Sequence, residues 1–201
     1  MQDVLELYSG DQEFKLIGYS FGSLLTLEIA KLLESNGKKG SVTFIDGSPQ
    51  FLHKIACMLV PDGNDEQIQL LILLSCVRIL APTEFAAIAG KIIERSTWDE
   101  KMEIFIEVAK TKSHYSVEYG SKMLKALINR VKMCLEADKM ENFKLMNTSV
   151  SLLKSTESSL KDLDLDYGLG EFCEEKVVVV SVEGNHTSIL HNSELMEFLN
   201  K

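Results

Sequence analysis

Apolar positions along the chain recur first with the period of an α/β core, then of helices, then of an α/β core again. "FKLIG" at 14–18 is a short apolar run closed by glycine, and it predicts a strand. Residues 21–35 carry Leu24, Leu25, Leu27, Ile29, Ala30, Leu32 and Leu33. That spacing predicts a helix apolar on more than one face and buried under a sheet. Asn36-Gly37 stops it, with Gly37 placed to take the left-handed exit of a helix C-terminus. "SVTFIDGSP" at 41–49 reads as the next strand, ending in an acidic turn. Strand, helix and strand in this order predict a βαβ unit with parallel strands.

Residues 50–145 change character and contain no strand pattern. They read as four or five helices, roughly 65–80, 83–95, 98–111 and 114–138. Val117, Met123, Leu124, Leu127, Ile128, Val131 and Leu135 give the last its period, while Pro82 and Ser96-Thr97 sit as helix starts. "NTSVSLLKS" at 147–155 then alternates like a strand. Polar "TESSLKDLDLDYGLGEF" follows, with one helical turn near 168–173. "KVVVVSV" at 176–182 is a β-branched run of the kind expected in a strand covered on both faces. "NSELMEFLN" closes the chain as a helix capped by Asn192 or Ser193. The pattern predicts an α/β core over 1–49 and 146–201, split by a helical insertion over 50–145. Insertions that long commonly act as lids.

Composition narrows the classes. A chain of 201 residues, 45% hydrophobic and 25% charged, is an ordinary globular domain able to bury a core. A net charge of −9 argues against nucleic acid or an anionic membrane as partner. Cys57, Cys76, Cys134 and Cys173 never approach C-x-x-C spacing, so neither a zinc site nor a redox motif is expected, and each reads as a small buried hydrophobe in a reducing compartment. The N-terminal "MQDVLELYSG" has no secretory pattern, and the longest apolar stretch, "LLILLSCV" at 70–77, is too short to span a bilayer. The expected location is cytoplasmic.

Chemistry enters at Gly18-Tyr19-Ser20-Phe21-Gly22, the Gly-x-Ser-x-Gly spacing of a nucleophile elbow, lying between a predicted strand and a predicted helix. A serine hydroxyl needs a base. In folds of this kind the base is a histidine late in the chain. His53 and His114 lie in or beside the helical insertion and His191 lies near the last helix, whereas His186 directly follows the last predicted strand. That end of a parallel sheet is where ligands bind. The acid that orients the histidine has two candidate strand ends, Asp46 in "IDGSP" and Glu157 in "KSTES", with Asp162, Asp164 and Asp166 in the same later loop. Spacing alone does not decide between Asp46 and Glu157.

"FKLIGYSFGSLLTLEIAKLLE", "VTFIDGSPQ" and "VVVVSVEGNHTSIL" together resemble the thioesterase domain of animal-type, multifunctional fatty acid synthase, the insect versions above all. The resemblance runs along nearly the whole chain and implies an α/β-hydrolase fold, truncated at the N-terminus, with a helical lid. It implies Ser20 as nucleophile, His186 as base and Asp46, rather than Glu157, as orienting acid, with the backbone N–H of Phe21 as an oxyanion donor. It implies release of a long-chain fatty acid from the phosphopantetheine arm of an acyl carrier protein, with no cofactor or metal of the chain's own. The partners it implies are that carrier domain, the rest of a synthase and a long acyl chain. Where the family usually has Gly-Asp-His, Asn185 stands in the middle, outside the triad.

The resemblance also implies strands ahead of this point and a loop bearing a second oxyanion donor. Without them the strand leading to Ser20 becomes a sheet edge. Other readings are a stand-alone editing thioesterase, a lipase-like esterase, and a fragment that only binds acyl chains or carrier protein. Leu70, Leu71, Ile72, Leu74, Met123 and Leu127 are candidates for an acyl groove, with helix–helix core the commoner use of such stripes. Lys122, Lys125, Arg130 and Lys132 form a basic stretch able to meet an acidic carrier, a solvated helix face being the plainer account.

Overall fold

A computed structural model of the protein describes residues 2–8, 10, 12–112, 116–140, 143–158, 160 and 162–200, so His114 lies outside the described residues. The elements run α1 (Gln2–Leu7), β1 (Phe14–Tyr19), α2 (Gly22–Ser35), β2 (Gly40–Ile45), α3 (Pro49–Leu59) and α4 (Asp65–Leu80). Then come α5 (Phe85–Ile93), α6 (Trp98–Lys112), α7 (Val117–Leu135), β3 (Thr148–Ser155), β4 (Val178–Val182) and α8 (Ser193–Leu199). The described residues up to Ile55 and from Glu136 onward form one compact unit, and Ala56–Leu135 form a second.

The first unit is built on a sheet of order β1-β2-β3-β4 with every pair parallel. Val42 pairs with Val150, Phe44 with Leu152 and Ile45 with Leu153. Strand alternation sends Val42, Phe44, Val150 and Leu152 to one face, all essentially buried. Ile45, Leu153 and Val182 gather on the other face with Ile189 and Leu195 of the C-terminal segment. A one-residue slip would exchange the two sets, so burial fixes the register.

Helix α2 packs on β1 and β2 through Leu24, Leu27, Ala30 and Leu33, while Leu25 is 51% exposed. Its apolar surface is thus wider than the face it buries. Gly37, at φ 77°, makes the predicted left-handed exit, with its N–H donating to Glu34 O and that of Lys38 to Leu33 O. The Glu34 carboxylate then accepts from Met146 N, Asn147 N and Thr148 Oγ1, tying the end of α2 to the start of β3.

Three expectations change. The last strand is not covered on both faces: Val178 is 54% and Val179 37% exposed, and only the Val182 end is buried, under Ile189 and Leu195. β4 is an outer strand, and Leu195 of α8 joins the cluster that buries Val182. Pro49–Leu59 form helix α3, a segment to which the apolar pattern assigns no element. Ser48 Oγ accepts from Phe51 N at 3.0 Å, with Pro49 in the first helical position, where a missing N–H costs nothing. Helix α5 begins at Phe85 rather than at Pro82. At the opposite edge, β1 is the outermost described strand, with Ile17 56% exposed.

In the second unit α4–α7 enclose Ile68, Leu73, Val77, Ile92, Phe105 and Leu124. Asn64 caps α4 through Gln67 N, and Thr97 with Glu100 forms a reciprocal capping box at α6. Leu70, Leu71, Ile72, Leu74, Met123 and Leu127 pack against this core, the plainer of their two expected uses. Lys122 pairs with Glu118 at 2.8 Å and Lys132 with Asp65 at 2.7 Å, so part of the basic stretch is engaged within the helices. Among the described residues no helix is long and apolar enough to cross a membrane.

Candidate active site

The chain turns sharply between β1 and α2 at Ser20, whose φ is 52°. A left-handed backbone is uncommon for a residue with a side chain, and here its surroundings enforce it. Ser20 N donates to Ile45 O at 3.1 Å, and Ser20 O accepts from Ser23 N at 3.0 Å and from Ser23 Oγ at 2.6 Å. The glycines around it differ in importance. A Cβ on Gly18 would lie 2.6 Å from Thr26 Oγ1, whereas one on Gly22 would meet nothing within 4 Å. An equally close constraint, here against backbone, comes from Gly47, in the Asp-Gly turn after β2. A Cβ there would lie 2.6 Å from Ser20 O and 2.9 Å from Ser23 Oγ. Gly47→Ala is therefore expected to push the elbow away from the sheet and to cost about 1–3 kcal/mol in a urea melt, as overpacking does. The rate per folded molecule should fall as well; a variant as stable and as reactive as the wild type would show that the elbow tolerates the methyl group.

His186 sits on the loop after β4, entered through Gly184 at φ 123°. Asn185 shapes that loop: its Oδ1 accepts from Thr187 N and Ser188 N, both at 3.0 Å, and its N–H donates to Ser188 Oγ at 2.8 Å. An aspartate oxygen would accept the same two bonds. His186 Nε2 lies 2.9 Å from Ser20 Oγ, and its Nδ1 lies 2.8 Å from Asp46 Oδ2.

Asp46 ends β2 at φ 45° and is 1% exposed. Besides His186, its carboxylate accepts from Ser155 N and Ser155 Oγ, both at 3.0 Å, and from Tyr167 OH at 3.2 Å. Burial opposes its charge most strongly, but the hydrogen bonds from His186 and Ser155 together outweigh it and hold the carboxyl below its ordinary pKa. An ionised carboxylate only accepts, so Nδ1 carries a proton, and in the neutral imidazole Nε2 then turns its lone pair to the serine hydroxyl.

The remaining candidates make other contacts. Glu157 is exposed on the rim, its N–H donating to Gly184 O at 3.0 Å. Asp166 accepts from Gly168 N and Gly170 N, and Lys54 Nζ donates to the backbone carbonyl of Asp162. Asp164 and His191 are exposed, and His53 pairs with Asp138. Phe21 follows the serine at the head of α2, with helical backbone angles.

Sequence reasoning missed several contributors. Tyr19, inside the motif itself, donates its hydroxyl to His186 O at 2.7 Å and stacks on the imidazole at 5.0 Å. Phe51 lies near-parallel to the same ring at 5.9 Å. Ser155 is the last residue of β3, a position that parallel pairing places beside the end of β2. Tyr167 had no local signal, since it lies 121 residues from Asp46 in a polar loop. A cavity of about 420 Å³ adjoins Ser20 and His186, with an apolar wall from Phe51, Leu52 and Ile55 of α3 and a polar one that includes Ser158 and Thr187. Among the described residues no group of His, Cys, Asp and Glu is arranged to hold a metal ion.

A parallel sheet, a strand–serine–helix elbow at its C-terminal edge and a histidine on the loop after the last strand define an α/β-hydrolase fold. The chain belongs to the thioesterase domain family, whose model matches residues 3–201. Solved structures of the same fold include the Vlm2 thioesterase domain bound with a dodecadepsipeptide, at TM-score 0.61 and 14% identity, covering 99% of this chain and 69% of that one. Human thioesterase 2 matches at TM-score 0.52 and 16% identity, covering 99% and 79% respectively. The four-domain nonribosomal peptide synthetase holo-AB3403, bound to AMP and glycine, matches at TM-score 0.65 and 16% identity, covering 99% of this chain and 15% of that one.

Proposed function

We propose that the chain hydrolyses fatty-acyl thioesters carried on the phosphopantetheine arm of an acyl carrier protein, using Ser20, His186 and Asp46. The observation that carries this reading is the continuous hydrogen-bonded line from Ser20 Oγ through both imidazole nitrogens to Asp46 Oδ2, at 2.9 and 2.8 Å. Ser20 Oγ attacks the thioester carbonyl carbon while His186 Nε2 takes its proton. The backbone N–H of Phe21, at the head of α2, is the proposed donor to the oxyanion. Collapse of the tetrahedral intermediate breaks the C–S bond, and His186 returns the proton to the departing thiolate. A water then gives a proton to His186 Nε2 as its oxygen attacks the acyl-serine carbonyl carbon; collapse breaks the acyl C–O bond, His186 passes the proton to Ser20 Oγ, and the carboxylic acid leaves.

The acyl preference is supported by the resemblance of the three quoted segments and by the apolar wall of Phe51, Leu52 and Ile55. The helical unit, entered through α3 directly after the strand that supplies Asp46, is the proposed lid. The test is a panel of thioesters on phosphopantetheine, with acyl groups of increasing length beside a peptidyl group. Long-chain acyl thioesters are expected to give the highest kcat/KM. A preference for the peptidyl arm would replace the acyl reading, and no thiol release from any arm would overturn the hydrolase reading.

A further inference from the structure

Among the described residues three other than glycine hold a positive φ: Ser20 at 52°, Asp46 at 45° and Tyr167 at 56°. Such a backbone is strained for a bulky side chain and persists only where the fold enforces it. Two of the three are the nucleophile and acid of the proposed triad. The third is a tyrosine only 1% exposed whose hydroxyl donates to Asp46.

The two carboxylate oxygens divide their partners. Oδ2 faces His186 Nδ1 and Ser155 Oγ, while Oδ1 accepts from Ser155 N and Tyr167 OH. Donors on Oδ1 oppose rotation of the carboxylate about its last bond, and that rotation would carry Oδ2 away from the imidazole. Burial first, then the neighbouring Asp46 charge, pushes the Tyr167 phenol up to about 12, so it remains a donor at neutral pH. Tyr167 is held in turn. Ser48 Oγ donates to its carbonyl at 2.7 Å, and Phe51 stacks on its ring at 4.9 Å. Gly168 follows at φ 74°, where a Cβ would lie 2.1 Å from the Gln50 side chain.

We infer that Tyr167 is a positioning residue: its hydroxyl locks the Asp46 carboxylate in the rotamer that presents Oδ2 to His186, and the left-handed turn at Tyr167-Gly168 delivers it there. The inference rests on the Ser20–His186–Asp46 reading.

The experiment is Tyr167→Phe in the full chain, made in the wild-type and in the Asp46→Asn background. It measures thioester kcat and KM together with the rate of Ser20 labelling by a fluorophosphonate probe, both expressed per labelled site. In the wild-type background kcat and the labelling rate are expected to fall about tenfold, the scale of one charge-assisted hydrogen bond, with KM unchanged. In the Asp46→Asn background the same substitution is expected to have no further effect, because the group it serves is gone. Ser48→Ala, which releases the Tyr167 carbonyl but leaves ring and hydroxyl in place, is expected to lose about threefold with the same dependence on Asp46. Wild-type kcat in Tyr167→Phe, or an equal loss in both backgrounds, would overturn the inference while leaving the triad intact. A folded wild-type chain whose Ser20 does not label would overturn the triad and the role of Tyr167 with it.

Discussion

Replacing His186 with alanine is expected to lower kcat/KM for thioester hydrolysis by about 10⁴-fold or more while leaving substrate binding nearly unchanged. Nε2 lies 2.9 Å from Ser20 Oγ, and without this base the hydroxyl stays protonated and weakly nucleophilic. Nucleophile and base act as one unit, so Ser20→Ala and the double variant should fall to the same floor rather than multiply. Following thiol release spectrophotometrically over the three variants checks both points. A His186→Ala chain retaining a tenth of wild-type kcat would remove His186 from the mechanism. The imidazole is also enclosed by Tyr19 and Phe51 and is 41% exposed, so its loss should be felt in rate far more than in stability.

Asp46→Asn is the second large effect. The amide keeps the shape of the side chain but loses its charge and turns one acceptor into a donor. Nδ1 of His186 then has no carboxylate to hold its proton, the other tautomer becomes available, and kcat is expected to fall about 10⁴-fold. The same substitution has a pH signature. Because hydrogen bonds hold the folded Asp46 pKa below its ordinary value despite burial, the unfolded chain binds this proton more readily than the folded one. The carboxylate therefore contributes stability in full above the unfolded value of about 3.9, and loses it as pH falls through the lowered folded pKa. Urea midpoints taken from pH 7 down to pH 3 should show a steeper acid decline in the wild type than in Asp46→Asn. Parallel curves would mean that Asp46 has the same pKa folded and unfolded.

How far the sequence led is clearest at particular residues. Gly18 to Gly22 announced the elbow because a strand-to-helix turn around serine needs local features that a five-residue window holds. Outside that window, however, lies a steric demand that the motif does not show: Gly22 has open space, whereas the missing side chain of Gly47 lets the two strand ends approach. The acid was open on spacing alone, since Asp46 and Glu157 both close strands. Parallel pairing sets the ends of β2 and β3 side by side, so that Asp46 meets Ser155 and faces His186 while Glu157 passes to the exposed rim. The β-branched run at 176–182 read as fully covered, yet residue type reports strand propensity and not what lies on each face, and β4 proved to be an outer strand.

By itself the sequence determined the α/β alternation, the four strands and most helices, and it singled out Ser20 and His186 as candidates, because periodicity and the elbow are short-range properties of the chain. Spacing left the acid open and only the resemblance pointed to Asp46; the contacts themselves, Asp46 to the imidazole and Tyr167 to Asp46, belong to the tertiary structure. Those contacts join residues more than a hundred positions apart, Asp46 to His186 across 140 and Asp46 to Tyr167 across 121, and exist only once strand register and burial have brought their loops to one edge of the sheet.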